Sequence, residues 1–370
     1  MHSFDGLSRF VLTTIVSFGL LLAFHSGFAA GQAKVSKEYV FSANQASDSL
    51  SAYRLDEATG HLESISSSPI KVGRYPVSIS SHPNGHVVYV VNQGTRTISV
   101  FSVDSETDTL NEIPGSPYDV GVHPDAIAIH PKGRWAFITK EDENKLRIYK
   151  IDPKSYGLGE MVKAVDTGKH PISVTVSPNG RFVYVSNFYA HSISAYRFDE
   201  VSGEMTASKN FAQTEDRPIY IRVDAQNKFA YVANYGDISV SAFTIDSRTG
   251  DLTPIKGSPF LAGSQPYSLT VDPSQQFLYV ANWGSHDVSA FRRDEKTGAL
   301  IEIQGSPYKA DWFPYAVVVD PHDHYVYVAN NGAANISAYE MNNRSGELTS
   351  IETVPSGLGP YGLTVMYVED

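Results

Sequence analysis

Apolar and polar positions alternate along this chain in runs of four or five residues that stop at Pro, Gly, Asn or Asp, a spacing that predicts short β-strands rather than helices. Between Pro266 and Phe313 four runs follow one another, here called A to D. Run A, Tyr267 to Val271, ends at Asp272-Pro273, because proline cannot donate to a central ladder. Run B is Phe277 to Ala281, and turn-forming residues from Asn282 to Asp287 lead into run C, Val288 to Phe291. Thr297-Gly298-Ala299-Leu300 then turns the chain into D, with Gly298 free to take a positive φ.

The same unit recurs seven times. An aromatic column falls at Phe41, Tyr89, Phe137, Tyr184, Tyr231, Tyr279 and Tyr327, spaced by 47 or 48 residues. Three residues later stand Asn44, Asn92, Lys140, Asn187, Asn234, Asn282 and Asn330, so only the third copy departs from Asn. Prolines seven apart bracket run A at 76/83, 124/131, 171/178, 266/273 and 314/321, while the copies opening at Pro218 and Pro360 keep only the first. A period of roughly 40 to 50 residues built from four short strands predicts an all-β fold, a seven-bladed β-propeller of four-stranded antiparallel blades. The first unit begins at run B, near Tyr39, and the chain ends with a spare A run, Pro360 to Val368. Pairing the two closes the first blade with the C-terminal strand and removes the open edge of a linear array.

Length alone suggests two or three domains, but the unbroken repeat over residues 38–370 makes one. Residues 1–30 stand outside it: Arg9, an apolar run from Phe10 to Phe24, then Gly27 and Ala29 placed for cleavage, which together read as a secretory signal peptide followed by a short linker over 31–37. The apolar run is shorter than the ~20 residues of a membrane span, so no stable span is expected. Export makes the expected location periplasmic or secreted. The chain has no cysteine, which excludes disulfides, a thiolate nucleophile and a cysteine-ligated zinc. A formal net charge of −11 without Lys/Arg runs argues against nucleic acid or an anionic membrane as partner. A monomer is expected. The N-x-S sequons at Asn335 and Asn343 read as chance.

In a propeller the A strands line the central channel, so residues flanking the start of A and those just after B converge on one mouth. Those columns supply Arg74, His123, Lys169, His170 and Arg217, with Glu141 and Asp142, in the earlier copies, and Tyr235, Tyr267, Trp283, Tyr315 and Tyr361 in the later ones. The mouth is therefore expected to have a charged arc facing an aromatic arc. Arg74, Lys169 or Arg217 would hold a carboxylate or a developing oxyanion, His123 or His170 would act as base, and Glu141 or Asp142 would orient or protonate. The bland reading of each is a polar loop residue or an aromatic filling the taper. The Asn column reads as a turn residue bonding the B–C loop backbone, and His82 and His130, before prolines at the far end of A, read as structural or solvated. Glu141 to Asn144 reads as a solvated hairpin ahead of a cation loop, and no metal or cofactor is expected. G-x-S-x-G, H-E-x-x-H and phosphate-loop motifs are absent.

The compound pattern over 266 to 307, P-Y-S-L-T-V-D-P, F-L-Y-V-A-N, V-S-A-F, T-G-A-L and G-S-P, resembles the seven-bladed propeller lactonases, which include bacterial-type 6-phosphogluconolactonase and the fungal carboxy-muconate cyclases; more distantly it resembles "YVTN" repeat propellers. The likeness spans about residues 38 to 370. Members with lactonase activity carry Gly-Pro-Arg-His opening one A strand and Asn-Glu after the next B strand. The counterparts here are Gly168-Lys169-His170-Pro171 and Asn187-Phe188. The resemblance thus implies a retained histidine at His170, with Arg217 and Glu141 from the neighbouring blades completing a His, Arg, Glu set as in the muconate cyclases. The substrate-binding set expected around it is Arg74, His123, Lys169, Tyr235, Tyr267, Trp283 and Tyr315. Two functions follow: a lactone hydrolase, or a propeller of the periplasm or cell surface that binds a ligand or protein at the mouth without turnover.

Overall fold

The structure, a computed structural model, describes residues 36–208 and 211–369. The signal peptide and most of the linker expected over residues 1–37 lie outside the described residues. Seven antiparallel sheets form the blades of the propeller, each running A, B, C, D. Among the described residues no helix is long and apolar enough to cross a membrane. The B strands, such as Phe277–Asn282 and Tyr325–Asn330, are buried along their whole length, because each is covered by a neighbouring blade on both faces. The A strands, such as Pro266–Val271 and Pro314–Val319, mix buried with part-exposed positions, as strands lining a channel do. In five blades the outer strand arrives in two short pieces that both pair with C, for example Leu300–Glu302 and Tyr308–Lys309. In blades 3 and 7 it is one strand, Leu158–Asp166 and Leu348–Pro355.

The aromatic column binds blade to blade. Tyr184, Tyr231, Tyr279 and Tyr327 are fully buried, and each hydroxyl donates to the carbonyl of the C–D turn glycine in the next blade: Gly250, Gly298, Gly346 and Gly60, at 2.9 to 3.0 Å. Where the column holds Phe, an aromatic two residues earlier supplies the donor. Tyr39 bonds Asp108 beside Phe41, and the Trp135 indole bonds the Glu200 carbonyl beside Phe137. These turn glycines are doubly constrained. They hold φ near +75°, and at Gly298 an added Cβ would come within 2.4 Å of the Phe229 ring. Replacing Tyr279 by Phe keeps the ring and strands the Gly346 carbonyl, so Tyr279→Phe is expected to lower stability by about 1–2 kcal/mol, measured by calorimetry.

Ring closure follows the expected pairing. The last strand, Pro360–Glu369, lies antiparallel to the first, Ser36–Asn44, in register from Ser36↔Glu369 to Ala43↔Gly362, with a shift of register before Asn44↔Pro360. Ser36 and Lys37, which the linker was expected to include, belong to this strand. At the seam the Glu38 side chain is fully buried, and burial together with the Asp320 charge pushes its carboxyl up to about 7.

The Asn column proves structural through different partners from those expected. Each Asn is fully buried, and its Nδ2 donates to strand-C side chains five and seven residues on, as Asn92 does to Thr97 and Ser99. Only Asn187 also bonds a backbone carbonyl among these, that of Ser192. His82 and His130 are buried, with Nε2 against the carbonyls of Gly133 and Gly180 in the following blade. They hold neighbouring turns together.

Candidate functional site

A sevenfold backbone motif builds the mouth where the A strands begin. The residue before each opening proline, Tyr75, His123, His170, Arg217, Gln265, Phe313 and Gly359, holds φ between 45° and 66°. Its carbonyl accepts from the N–H of the residue after the Asn column: Gln93, Glu141, Phe188, Tyr235, Trp283, Asn331 and Gln45, at 2.8 to 3.4 Å. Six of the seven are not glycine, and each left-handed conformation costs about 1–2 kcal/mol. The preceding blade helps hold them there. The N–H of His170 donates to Asn144 Oδ1, that of Arg217 to His191 Nδ1, and that of Phe313 to His286 Nδ1.

Within this frame lies a cavity of about 490 Å³. Asp125, Glu141 and His170 face it, and Phe188, beside His170, leads into the aromatic arc of Tyr235, Tyr267, Tyr315 and Tyr361. Glu141 sits between two histidines, with Oε1 3.5 Å from His123 Nδ1 and Oε2 3.6 Å from His170 Nε2, and its side chain is 17% exposed. His123 Nε2 is 3.2 Å from Asp142, nearer the rim. Asp125 accepts from the Gln93 amide at 3.2 Å. Desolvation in the channel, reinforced by the Glu141 charge, holds the Asp125 carboxyl well above the usual carboxylate range.

The opposite arc is a continuous set of ring contacts. Tyr267 and Tyr315 have centroids 4.1 Å apart, Tyr315 and Tyr361 4.6 Å, and the hydroxyls of Tyr267 and Tyr361 bond each other. Tyr235 meets Tyr267 edge-on at 5.8 Å, and Trp283 lies behind it, stacked on Phe313 at 4.5 Å. Burial raises the hydroxyls of Tyr267 and Tyr361 far above a free tyrosine, so they act only as neutral donors and acceptors.

The site thus gathers His170, Glu141, Tyr235, Tyr267 and Tyr315, with His123 against Glu141 and Trp283 in support. It does not gather the three cations. Arg74 and Lys169 are exposed outside the lining, the Lys169 ammonium 5.9 Å over the Tyr189 ring. Arg217 is also outside it, its Nε 3.1 Å from Asp216. Among the described residues lining the cavity, none is Lys or Arg. Lys140, the one break in the Asn column, does not face the cavity either. It is fully buried, donates to the carbonyls of Val120 and Gly121, and is pushed down to about 8 by burial and the nearby Arg147.

Asp125 and Tyr361 both belong to the columns expected at the mouth, and Asp125 stands out within its own. The residue after the opening proline reads Val77, Asp125, Ile172, Ile219, Tyr267, Tyr315, Tyr361, and only one is of a type ordinarily charged at neutral pH.

Known proteins share this fold. A candidate 6-phosphogluconolactonase of Bacteroides fragilis superposes with a TM-score of 0.78 at 18% identity, over 89% of this chain and 98% of its own. A second, from Bacteroides uniformis, gives 0.79 at 18% over 90% and 99%. The periplasmic gluconolactonase of Pseudomonas aeruginosa gives 0.75 at 18% over 90% and 99%. Likeness at this identity speaks to the fold alone. No curated protein matches the chain. The model of the family "Lactonase, 7-bladed beta-propeller" matches residues 22–121, 78–176, 126–265, 207–310 and 262–361, so nearly the whole propeller is covered, and the chain belongs to the seven-bladed β-propeller lactonase family.

Proposed function

We propose that the protein is an exported lactonase that opens a neutral lactone at the channel mouth, with His170 and Glu141 as its acid–base pair. The observation that carries this reading is the contact of His170 with the mostly buried Glu141 on the wall of a cavity whose other wall is aromatic. Water positioned at His170 gives its proton to the imidazole as its oxygen attacks the lactone carbonyl, and Glu141 steadies the imidazolium. When the tetrahedral intermediate collapses, the imidazolium returns the proton to the ring oxygen as the C–O bond breaks, leaving a hydroxy acid. With no cation in the lining, charge on the carbonyl oxygen is met by neutral donors. Asp125, whose carboxyl burial and the Glu141 charge push well above the usual carboxylate range, would serve there as a neutral O–H donor in its protonated form. The hydroxy-acid product is an anion facing Glu141, which favours release. The same repulsion weighs against phosphorylated lactones, as does export; the likeness to a protein described as periplasmic supports that location.

The test is hydrolysis of a panel of neutral and phosphorylated lactones by the purified protein, followed by proton release. Turnover of neutral lactones is expected. A thermal shift with the same compounds and no hydrolysis would favour the second reading, a binding propeller, which the aromatic arc also supports.

The role of Asp125 has its own signature. If it donates as a neutral acid, Asp125→Asn retains a donor and should stay within about tenfold of the parent, while Asp125→Ala should lose about a hundredfold in kcat/KM. Activity should fall as pH rises through the raised Asp125 value, because the donor proton is then lost, and Asp125→Asn should remove that alkaline limb. An Asn variant as inactive as Ala would show that the carboxylate, not the acid, is required.

A further inference from the structure

At the far end of the ring from the channel mouth, three potential ligands meet where the last blade touches the first. Glu38 comes from the first strand, Asp320 and His322 from the A–B turn of blade 7, and one ligand atom from each lies within 4.8 Å of the others. Glu38 and Asp320 are buried, with exposures of 0% and 1%. Glu38 Oε2 has no hydrogen-bond partner, and Oε1 lies 2.5 Å from His322 Nδ1 without the alignment of a hydrogen bond. A fully buried carboxylate with a free oxygen, met only by one half-exposed imidazole, is costly unless it is protonated or a further cation meets it.

Of the two other buried Asp residues at this turn position, Asp272 is held by Ser274 Oγ and the Phe277 N–H, and the other is met by a cation. Asp224 occupies the Asp320 position in blade 5, and the buried guanidinium of Arg293 from the next blade covers it at 3.1 Å. At the seam the next blade offers a second carboxylate instead. Glu38 stands three residues before the aromatic column, where the other six copies carry His86, Arg134, Arg181, Lys228, Gln276 and His324. It is the only acid among the seven. Two buried carboxylates therefore face one half-exposed imidazole, and the backbone fixes both sides: Glu38 is paired with Leu55 and Tyr367 in its sheet, and Asp320 Oδ1 accepts from the N–H groups of His324 and Tyr325.

We propose that Glu38, Asp320 and His322 bind a divalent transition-metal cation that locks the closure seam. Two carboxylate oxygens and one imidazole nitrogen suit Zn²⁺ or Mn²⁺, with water entering from the exposed side of His322. The ion bridges blade 7 to blade 1, so its binding free energy adds to ring closure rather than to chemistry at the mouth.

The test uses the untagged full chain, stripped with chelator and titrated at pH 7.5 with ZnCl₂ or MnCl₂. One equivalent should bind at the seam, seen by calorimetry and by anomalous scattering in crystals. Metal at a hundredfold excess over its Kd should raise Tm by about 4 °C. Glu38→Gln, which keeps the shape and removes the charge, and His322→Ala, at the surface, should each weaken binding at least tenfold. If the Gln variant does not fold, the Ala variant decides. No stoichiometric binding overturns the proposal, and so does binding that persists unchanged in these variants, as it would if the ion sat on His123, Glu141 and Asp142 at the mouth. Lactone turnover is not the readout, so failure here leaves the proposed activity standing.

Discussion

A chain ending at residue 359 is expected not to fold. The missing strand pairs with the first from Ser36↔Glu369 to Asn44↔Pro360, and it buries Leu363, Met366 and Val368, which are 8%, 3% and 0% exposed. Burial of three such side chains contributes about 5–9 kcal/mol, against a total stability of about 5–15 kcal/mol for a typical domain. The loss does not stop there. Tyr39, Val40 and Phe41 would lie on an unpaired edge strand, a template for pairing between chains. Deleting residues 360–370 should therefore send the protein to the insoluble fraction, or leave soluble material without a cooperative melt by circular dichroism. A soluble truncation melting cooperatively within a few degrees of the parent would show that blade 1 is stable without its inner strand, and closure would lose its energetic role.

The second large effect is on catalysis. His170→Ala and Glu141→Gln should each lower kcat/KM on a neutral lactone by about 10²–10⁴-fold, the range for removing a general base or the group that holds it. The two act as a unit at 3.6 Å, so the double variant should be within about tenfold of the worse single one. Both should melt within a few degrees of the parent, because Ala meets the same left-handed backbone at 170 and Gln keeps the shape at 141. Arg217→Ala is the informative control. Its side chain turns to Asp216 outside the cavity lining, so the loss should be under about threefold. A loss in Arg217→Ala as deep as in His170→Ala would mean that the arginine swings into the mouth when substrate binds. Undiminished turnover in both His170→Ala and Glu141→Gln would sink the acid–base pair.

The propeller was legible because its determinants are columns. Every B strand repeats the aromatic, six of the seven set an Asn three residues after it, every A strand opens on Pro, and each recurrence points to one architecture. The inter-blade bonds were less legible, although their donors were visible. That the hydroxyl of Tyr279 would reach Gly346 rather than its own turn depends on the rotation between blades, which no single repeat contains. The same holds for the Asn column, whose amides pair with hydroxyls across the sheet.

For the mouth, the position was legible and the membership was not. The order of the chain alone placed the residues before each opening proline and after each Asn at one end of the ring, and it set ionisable groups in early blades against aromatics in late ones. Local periodicity and turn chemistry suffice for that, because they fix where each backbone segment must sit. Which side chains then share space was decided by the assembled ring. At the same left-handed position, His170 turns to Glu141 across the blade boundary while Arg217, longer and beside an acid, turns to Asp216. The cations lie outside the cavity, Asp125 lines it, and Lys140 is used up on two carbonyls. Such choices rest on burial and on the partners that neighbouring blades present, and these exist only once seven distant segments have closed on one another.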